Sequence, residues 1–173
     1  LSRGLGDVYK RQGEARTASS YNNIPLDRVH FLDLPFYETG KIQKNPISEA
    51  DVEIVRNLLR EIKPHQIFVA GDLADPHGTH RVCTDAVFAA VDLEKEEGAK
   101  WLKDCRIWMY RGAWAEWEIE NIEMAVPISP EELRAKRNSI LKHQSQMESA
   151  PFLGNDERLF WQRSEDRNLS LIH

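Results

Sequence analysis

The sequence predicts an α/β domain with a mostly parallel sheet and helices on both faces, and two observations support this fold class. Short apolar segments of strand length alternate along the chain with longer segments whose apolar residues recur at helical spacing. The segment "QIFVAG" (66–71) is apolar without alternation, as in a strand that is covered on both faces. Strands that alternate with helices pair in parallel through right-handed crossovers.

The first half of the chain contains two predicted strands with a helix between them. "RVHFLDLPF" (28–36) has nearly alternating apolar residues and predicts a strand that leads into a loop. Ser48 and Asp51 have the spacing of a helix N-cap and its partner, and Pro64 is expected to stop that helix. The strand at 66–71 follows directly.

The second half begins with a helix that has a small apolar face. Its members are Val82, Ala86, Val87, Ala90 and Val91. "CRIWMY" (105–110) predicts another strand, and "WEIENIEMAVPI" (117–128) predicts a strand or an extended segment.

A strong helix start follows, with Ser129 as the N-cap, Pro130 at the first helical position and Glu132 as the capping partner. We expect this helix to run through "EELRAKRNSILKHQSQ" (131–146). The tail at 149–168 predicts a loop and a short helix.

The composition fits a globular domain with a small-molecule ligand. The 173 residues are 41% hydrophobic, which is enough for a core. The net charge of -5 disfavours nucleic acid or an anionic membrane as a partner. No apolar run approaches the roughly 18 residues that would span a membrane. Two cysteines are too few for a disulfide framework, so we expect a cytoplasmic location.

The two ends differ in character from the rest of the chain. "LSRGLGDVYKRQ" (1–12) and "LSLIH" (169–173) resemble translated sequencing-adapter read-through. We therefore expect residues 1–12 to be an artefact or a disordered tail and residues 169–173 to be an artefact. Residues 13–168 are then expected to be part of a longer domain.

The candidate site follows the strand at 66–71. The polar residues there are Asp72, Asp75, His77 and His80. Ligands of open α/β sheets bind beyond the carboxyl ends of the strands, so these residues are expected at the binding edge. Imidazoles beside carboxylates suit a metal site or an acid–base site. The alternative is that the histidines are simply exposed and that Asp75 is a helix cap.

The start of the following helix has two interpretations. Asp75 and Pro76 can be the N-cap and first residue, or the helix can start later, at Gly78 or Thr79. In both cases the two histidines lie about one turn apart.

The segment "KPHQIFVAGDLADPHGTHRVCTDAVFAAV" (63–91) resembles the second signature of the PIG-L/LmbE-like deacetylases. These are zinc enzymes that remove the acetyl group from N-acetylglucosamine-containing compounds. "HFLDLPFYETG", "YRGAWAEW" and "KHQSQ" extend the resemblance over 13–168 and point to the branch fused to a glucosamine-6-phosphate deaminase domain. The resemblance implies a Rossmann-like, LmbE-like fold that lacks its first strands.

The resemblance also implies residue roles. His80 would be a Zn²⁺ ligand, and His77, with Asp75, would act in catalysis by stabilising the oxyanion or protonating the leaving amine. Gly78 and Thr79 replace the acidic residue of the family pattern, so Thr79, Asp72 or Asp75 would have to orient His77. The family's first signature, which supplies two metal ligands and the general base, is not in this sequence. The zinc site is therefore expected to be incomplete and the fragment inactive.

Three residues are candidates for substrate binding. Arg111 follows a strand and could bind a phosphate or hydroxyl group, Trp114 could stack on a sugar ring, and Tyr37 could lie at the pocket rim. Surface packing is the alternative for Tyr37. His143 matches a family feature, for which a supporting role is favoured over catalysis.

The expected function of the intact domain is zinc-dependent hydrolysis of the N-acetyl group of an N-acetylglucosamine-type substrate. The alternative is a non-catalytic sugar-binding or regulatory module of a glucosamine-6-phosphate deaminase. The expected partners are a small amino sugar and a fused deaminase domain, and a homo-oligomer stays open. Nucleic acid and membrane are not expected as partners.

Overall fold

The computed structural model describes residues 2–37, 45–71, 78–111, 117–147 and 156–170. The chain divides into two compact units. One unit combines Leu1–Phe31 with Trp117–His173, and the other is Leu32–Glu116. The class is α/β, as the sequence predicts, because helices and parallel strands alternate in the second unit.

The second unit contains helix α2 (Glu49–Ile62), strand β1 (Gln66–Ala70), helix α3 (Thr79–Glu96) and strand β2 (Arg106–Tyr110). The strands pair in parallel, with Phe68 opposite Trp108 and Ala70 opposite Tyr110. The prediction of a parallel pair linked by a helix is therefore confirmed for the two strands of the described residues. A larger Rossmann-like sheet is not shown.

Helix α2 begins where its sequence signal predicts. The Ser48 side chain accepts a hydrogen bond from the backbone N–H of Asp51, and the Asp51 carboxylate accepts one from the Ser48 N–H at 2.8 Å. The helix ends at Ile62, and Lys63 adopts a left-handed conformation before Pro64. The predicted cap and stop are confirmed.

The core of this unit lies between α2 and α3. Val52, Val55 and Leu59 of α2 pack with Ala86 and Ala90 of α3. Both alanines are completely buried, and their small side chains let the helices approach closely. Ile67 of β1 packs against the same cluster, which places α2 and α3 on one face of the sheet.

The first unit is helical in its described part. It contains α1 (Ser2–Tyr21), α4 (Pro130–Ile140) and α5 (Phe160–Ser170). The capping box of Ser129 and Glu132 at the start of α4 is present as predicted. Helix α1 includes most of residues 1–12. The expectation that this segment is an artefact or a disordered tail stays a prediction.

Two element predictions are wrong. Residues 28–36 form no strand, because a short 3-10 turn at Leu26–Arg28 precedes them and Asp33 takes a left-handed conformation with φ 46°. Helix α4 ends at Ile140 rather than near residue 146, and a separate 3-10 turn covers Gln144–Gln146.

The segment 117–128 also forms no strand. It has a 3-10 turn at Ile119–Asn121 and is otherwise without regular structure, so only the extended alternative is compatible with it. The segment 66–71 is a strand as predicted, but it is not covered on both faces, since Phe68 is 55% exposed. Within the described residues, no helix is long and apolar enough to cross a membrane.

Candidate functional site

The carboxyl ends of β1 and β2 form one edge of the parallel sheet. The backbone N–H of Gly71, just past β1, donates a 2.7 Å hydrogen bond to the carbonyl oxygen of Tyr110, the last residue of β2. Both strands therefore end at the same level. Segments that leave a parallel sheet at its carboxyl edge enclose the usual ligand position of α/β folds.

A buried hydroxyl fixes α3 to this edge. The Oγ1 of Thr84 donates a 2.8 Å hydrogen bond to the carbonyl oxygen of Ala70, and Thr84 is only 3% exposed. Thr84 lies one turn after His80, so the bond holds the first turns of α3 beside the end of β1. The sequence offers a weak signal for this role, a threonine among the apolar residues of the helix.

The later of the two predicted helix starts is the one observed. Helix α3 begins at Thr79 after Gly78, which adopts a left-handed conformation with φ 66°. His80 lies in the first turn and is exposed. The predicted partners Asp72, Asp75 and His77 lie outside the described residues, so their proximity to His80 stays a prediction.

The other predicted site residues do not all belong to the unit that contains the strand edge. Arg111 follows β2 directly and is half-buried, which places it at the same edge as the start of α3. Tyr37 belongs to the same unit and is 40% exposed, with its ring edge-to-face against Phe36. Trp114 lies outside the described residues. His143 belongs to the other unit, where it precedes the 3-10 turn at Gln144–Gln146.

The described residues do not supply the zinc site that the resemblance implies. Among them, no group of three or more histidine, cysteine, aspartate or glutamate side chains is arranged to hold a metal ion. Cys83, one turn past His80, is an exposed thiol. A catalytic zinc needs about three protein ligands. We therefore derive no catalytic step through a metal.

An ion network joins the two helices that pack on the sheet. Glu94 of α3 accepts 2.6 Å hydrogen bonds from the Nε atoms of Arg56 and Arg60 of α2, and Glu97 pairs with both arginines. Burial raises the pKa of Glu94, but the hydrogen bonds from the arginines outweigh burial and lower its pKa below the usual value. The hydrogen bond from Arg56 lowers the pKa of Glu97. No local spacing in the sequence predicts this network, because its arginines and acids lie on different helices.

A depression of about 320 Å³ in the first unit is not the predicted site. Its lining consists of Asn22, Glu132, Ala135, Lys136, Ser139 and Ile140. The Glu132 carboxylate is used in the α4 cap, and the Nζ of Lys136 donates to Asn168 at 2.5 Å. The carboxyl edge of β1 and β2 is the better candidate, because that edge is where α/β folds usually bind their ligands.

The two parallel strands and the helices that pack on one face of them define an α/β unit. Over 158 residues the chain is 99% identical to a glucosamine-6-phosphate deaminase-like protein of Bacteroides thetaiotaomicron. The match covers 91% of this chain and 24% of that protein, so the chain spans about a quarter of the relative's length. No family model and no solved structure matches the chain.

Proposed function

We propose that this chain is a sugar-recognition module within a glucosamine-6-phosphate deaminase-like protein, and that its site is the carboxyl edge of β1 and β2. The observation that carries the proposal is the near-identity to a segment of such a protein. The ligand is an amino sugar or its phosphate. The acidic net charge of the chain agrees with a small-molecule ligand rather than nucleic acid.

Arg111 supplies the charge that a sugar phosphate requires. A guanidinium group binds phosphate through two parallel hydrogen bonds, and these are stronger than hydrogen bonds between neutral groups. Arg111 emerges at the end of β2, on the side of the sheet edge where α3 begins with Thr79 and His80. An arginine at this position can contact a ligand held above the strand ends.

Titration calorimetry with glucosamine 6-phosphate and with glucosamine tests the proposal on the full-length Bacteroides relative and on this chain. We expect tighter binding of the phosphate, and we expect Arg111→Gln to weaken it at least tenfold. Arg106→Gln is the matched control, because Arg106 is exposed at the opposite end of the same strand. Unchanged affinity in Arg111→Gln, or equal losses in the two variants, would exclude the arginine role.

The second candidate function is zinc-dependent removal of an N-acetyl group from an N-acetylglucosamine-type substrate. The observation that favours it is the exposed position of His80 in the first turn of α3, directly at the strand edge. In this proposal His80 binds the metal, while His77 and Asp75 act on the substrate. Asp72 and Thr79 support the site, and Arg111, Trp114 and Tyr37 contact the sugar.

The two candidates are separated by metal content and acetate release. If the relative is a deacetylase, it should contain about one zinc ion per chain and release acetate from N-acetylglucosamine compounds. His80→Ala should then remove the zinc, and His65→Ala should keep it, because His65 lies at the other end of β1. A purified relative with sugar affinity but without zinc or acetate release supports the recognition module. We also propose a cytoplasmic location.

A further inference from the structure

One face of the β1–β2 sheet carries exposed aromatic side chains. Side chains alternate between the faces of a strand. Ile67 faces the helices, so Phe68 faces away from them, together with Trp108 across the pair and Tyr110 at the end of β2. We call Phe68, Trp108 and Tyr110 the aromatic face.

The aromatic face is less covered than the helix-facing side. Phe68 is 55% exposed and Tyr110 is 53% exposed, whereas Val69 and Met109 on the helix-facing side are 7% and 37% exposed. Trp108 is less exposed than Phe68 and Tyr110.

An exposed aromatic cluster on a parallel sheet is uncommon. Parallel sheets are almost always covered on both faces, because their crossover helices pack there. Contiguous exposed apolar surface marks a place where another group binds. The apolar sequence of β1 is also that of a strand covered on both faces, although α2 and α3 cover only one.

We propose that the aromatic face is covered, in the longer protein, by a helical segment from the part of the same polypeptide that lies outside this chain. The Bacteroides relative contains this segment almost unchanged within a chain about four times as long, so it has additional polypeptide to supply such a layer. The segment should carry an apolar stripe for Phe68 and Tyr110 and an acidic residue for Arg106, which is exposed where β2 begins.

The size of the aromatic face favours an intramolecular partner over a second copy. Phe68 and Tyr110, each of about 200 Å² and roughly half exposed, offer about 300 Å² at most together with the less exposed Trp108. A stable dimer buries about 800 Å² on each partner. A helix of the same polypeptide binds a smaller surface effectively, because the covalent connection keeps its local concentration high. The proposal does not depend on which ligand the carboxyl edge binds.

Hydroxyl-radical footprinting tests the proposal by comparing the same residues in this chain and in the full-length relative. A match of 158 residues necessarily includes both strands. Phe68 and Tyr110 should be modified at least fivefold more slowly in the relative. Tyr21 and Ile119, which are 40% and 83% exposed, should react at similar rates in both proteins, and buried Phe36 should react slowly in both.

Three results would overturn the proposal. The first is equal modification of Phe68 and Tyr110 in the two proteins, which means that the face stays open. The second is protection that disappears as the relative dissociates on dilution, which identifies a second copy as the occupant. The third is protection that requires added glucosamine 6-phosphate, which makes the face a ligand site.

A substitution gives an independent measurement. Phe68→Glu should lower the thermal midpoint of the relative by several degrees and leave that of this chain nearly unchanged, since the side chain is exposed here. Ile119→Glu is the control and should have a small effect in both proteins. Equal effects of Phe68→Glu in the two proteins would contradict the proposal.

Discussion

The hydroxyl of Thr84 donates a 2.8 Å hydrogen bond to the carbonyl oxygen of Ala70 at the carboxyl edge of the sheet. Ala70 ends β1, and Thr84 lies in the second turn of α3. The residues between β1 and α3 include the predicted Asp72, Asp75 and His77. This hydrogen bond therefore fixes the two ends of the segment that contains most of the candidate site.

Thr84→Val tests the hydrogen bond with almost no change in side-chain volume. Valine leaves the part-buried Ala70 carbonyl without this donor, so we expect the free energy of unfolding to fall by about 1–3 kcal/mol. Urea denaturation measures the change. Thr17→Val is the control, because the Thr17 hydroxyl donates to the Gly13 carbonyl in an exposed position where water can replace it. Equal losses in the two variants would contradict the role of burial.

A turn is closed by a hydrogen bond from the Tyr37 N–H to the Leu34 carbonyl oxygen. Asp51→Asn tests the hydrogen bond that attaches this turn to α2. The Asp51 side chain is completely buried and accepts hydrogen bonds from the Phe36 N–H at 2.9 Å and from Ser48. Burial raises the pKa of Asp51, but these hydrogen bonds outweigh it and lower the pKa, so the site favours the ionised form. Asparagine keeps the shape but loses the charge.

We expect Asp51→Asn to lower the free energy of unfolding by about 1–3 kcal/mol and to increase amide hydrogen exchange at Phe36. Glu49→Gln is the control, since Glu49 is an exposed acid in the same first turn. Its loss should be less than about 1 kcal/mol, from the helix dipole alone. Unchanged exchange at Phe36 in Asp51→Asn would show that the hydrogen bond does not hold the turn.

The capped helices were predictable because their signals are local. Ser48 with Asp51 and Ser129 with Glu132 fix two helix starts through hydrogen bonds over three residues. The apolar segment of β1 also predicted a strand followed by a helix, and His80 lies in the first turn of that helix. These features depend on sequence spacing, so the sequence alone contains them.

The wrong strand prediction depends on one backbone conformation, and the contacts that were not predicted depend on tertiary packing. The nearly alternating apolar residues at 28–36 are typical of a strand. Asp33, however, adopts a left-handed backbone conformation that interrupts the extended conformation. The Glu94 network could not be predicted, because Arg56 and Glu94 are 38 residues apart and meet only when α2 and α3 pack. The Thr84 hydrogen bond likewise requires β1 and α3 to be in place.

The Glu94 network should make stability fall in acid. The pKa values of Glu94 and Glu97 are lower in the folded chain than the ordinary value of 4.5. A lowered carboxyl pKa stabilises the fold above the pKa of the unfolded chain, and this contribution is lost as pH falls through the lower folded pKa. The free energy of unfolding should therefore decline as the pH falls below about 4.5.

Glu94→Gln should reduce this acid dependence and also lower stability at neutral pH, because buried Arg56 then loses its buried charged partner and keeps only exposed acidic partners such as Glu97. Denaturant titrations between pH 7 and pH 3 measure both effects. Glu96→Gln is the control, since Glu96 is an exposed neighbour on α3. An acid slope that is the same in Glu94→Gln and in the unsubstituted chain would remove the network as its cause.

Glycine-to-alanine substitutions at Gly78 and Gly13 should have opposite signs, and the comparison tests the geometry at the start of α3. Gly78 has φ 66°, a conformation that disfavours a side chain, whereas Gly13 lies inside α1. An added Cβ meets no atom within 4 Å at either position, so conformation rather than steric contact determines the effect. Gly78→Ala should cost about 1–2 kcal/mol. Gly13→Ala should stabilise α1 by about 0.5–1 kcal/mol.

Gly78→Ala should also weaken ligand binding at the carboxyl edge, because the left-handed residue sets the direction in which the segment containing His77 enters α3. Thermal unfolding gives the two stability changes, and titration with glucosamine 6-phosphate gives the affinity. A third variant, Gly78→Asn, separates the causes, since asparagine tolerates the left-handed conformation better than alanine. Asparagine should recover much of the lost stability and affinity, and equal losses in the two variants would exclude the backbone conformation as the cause.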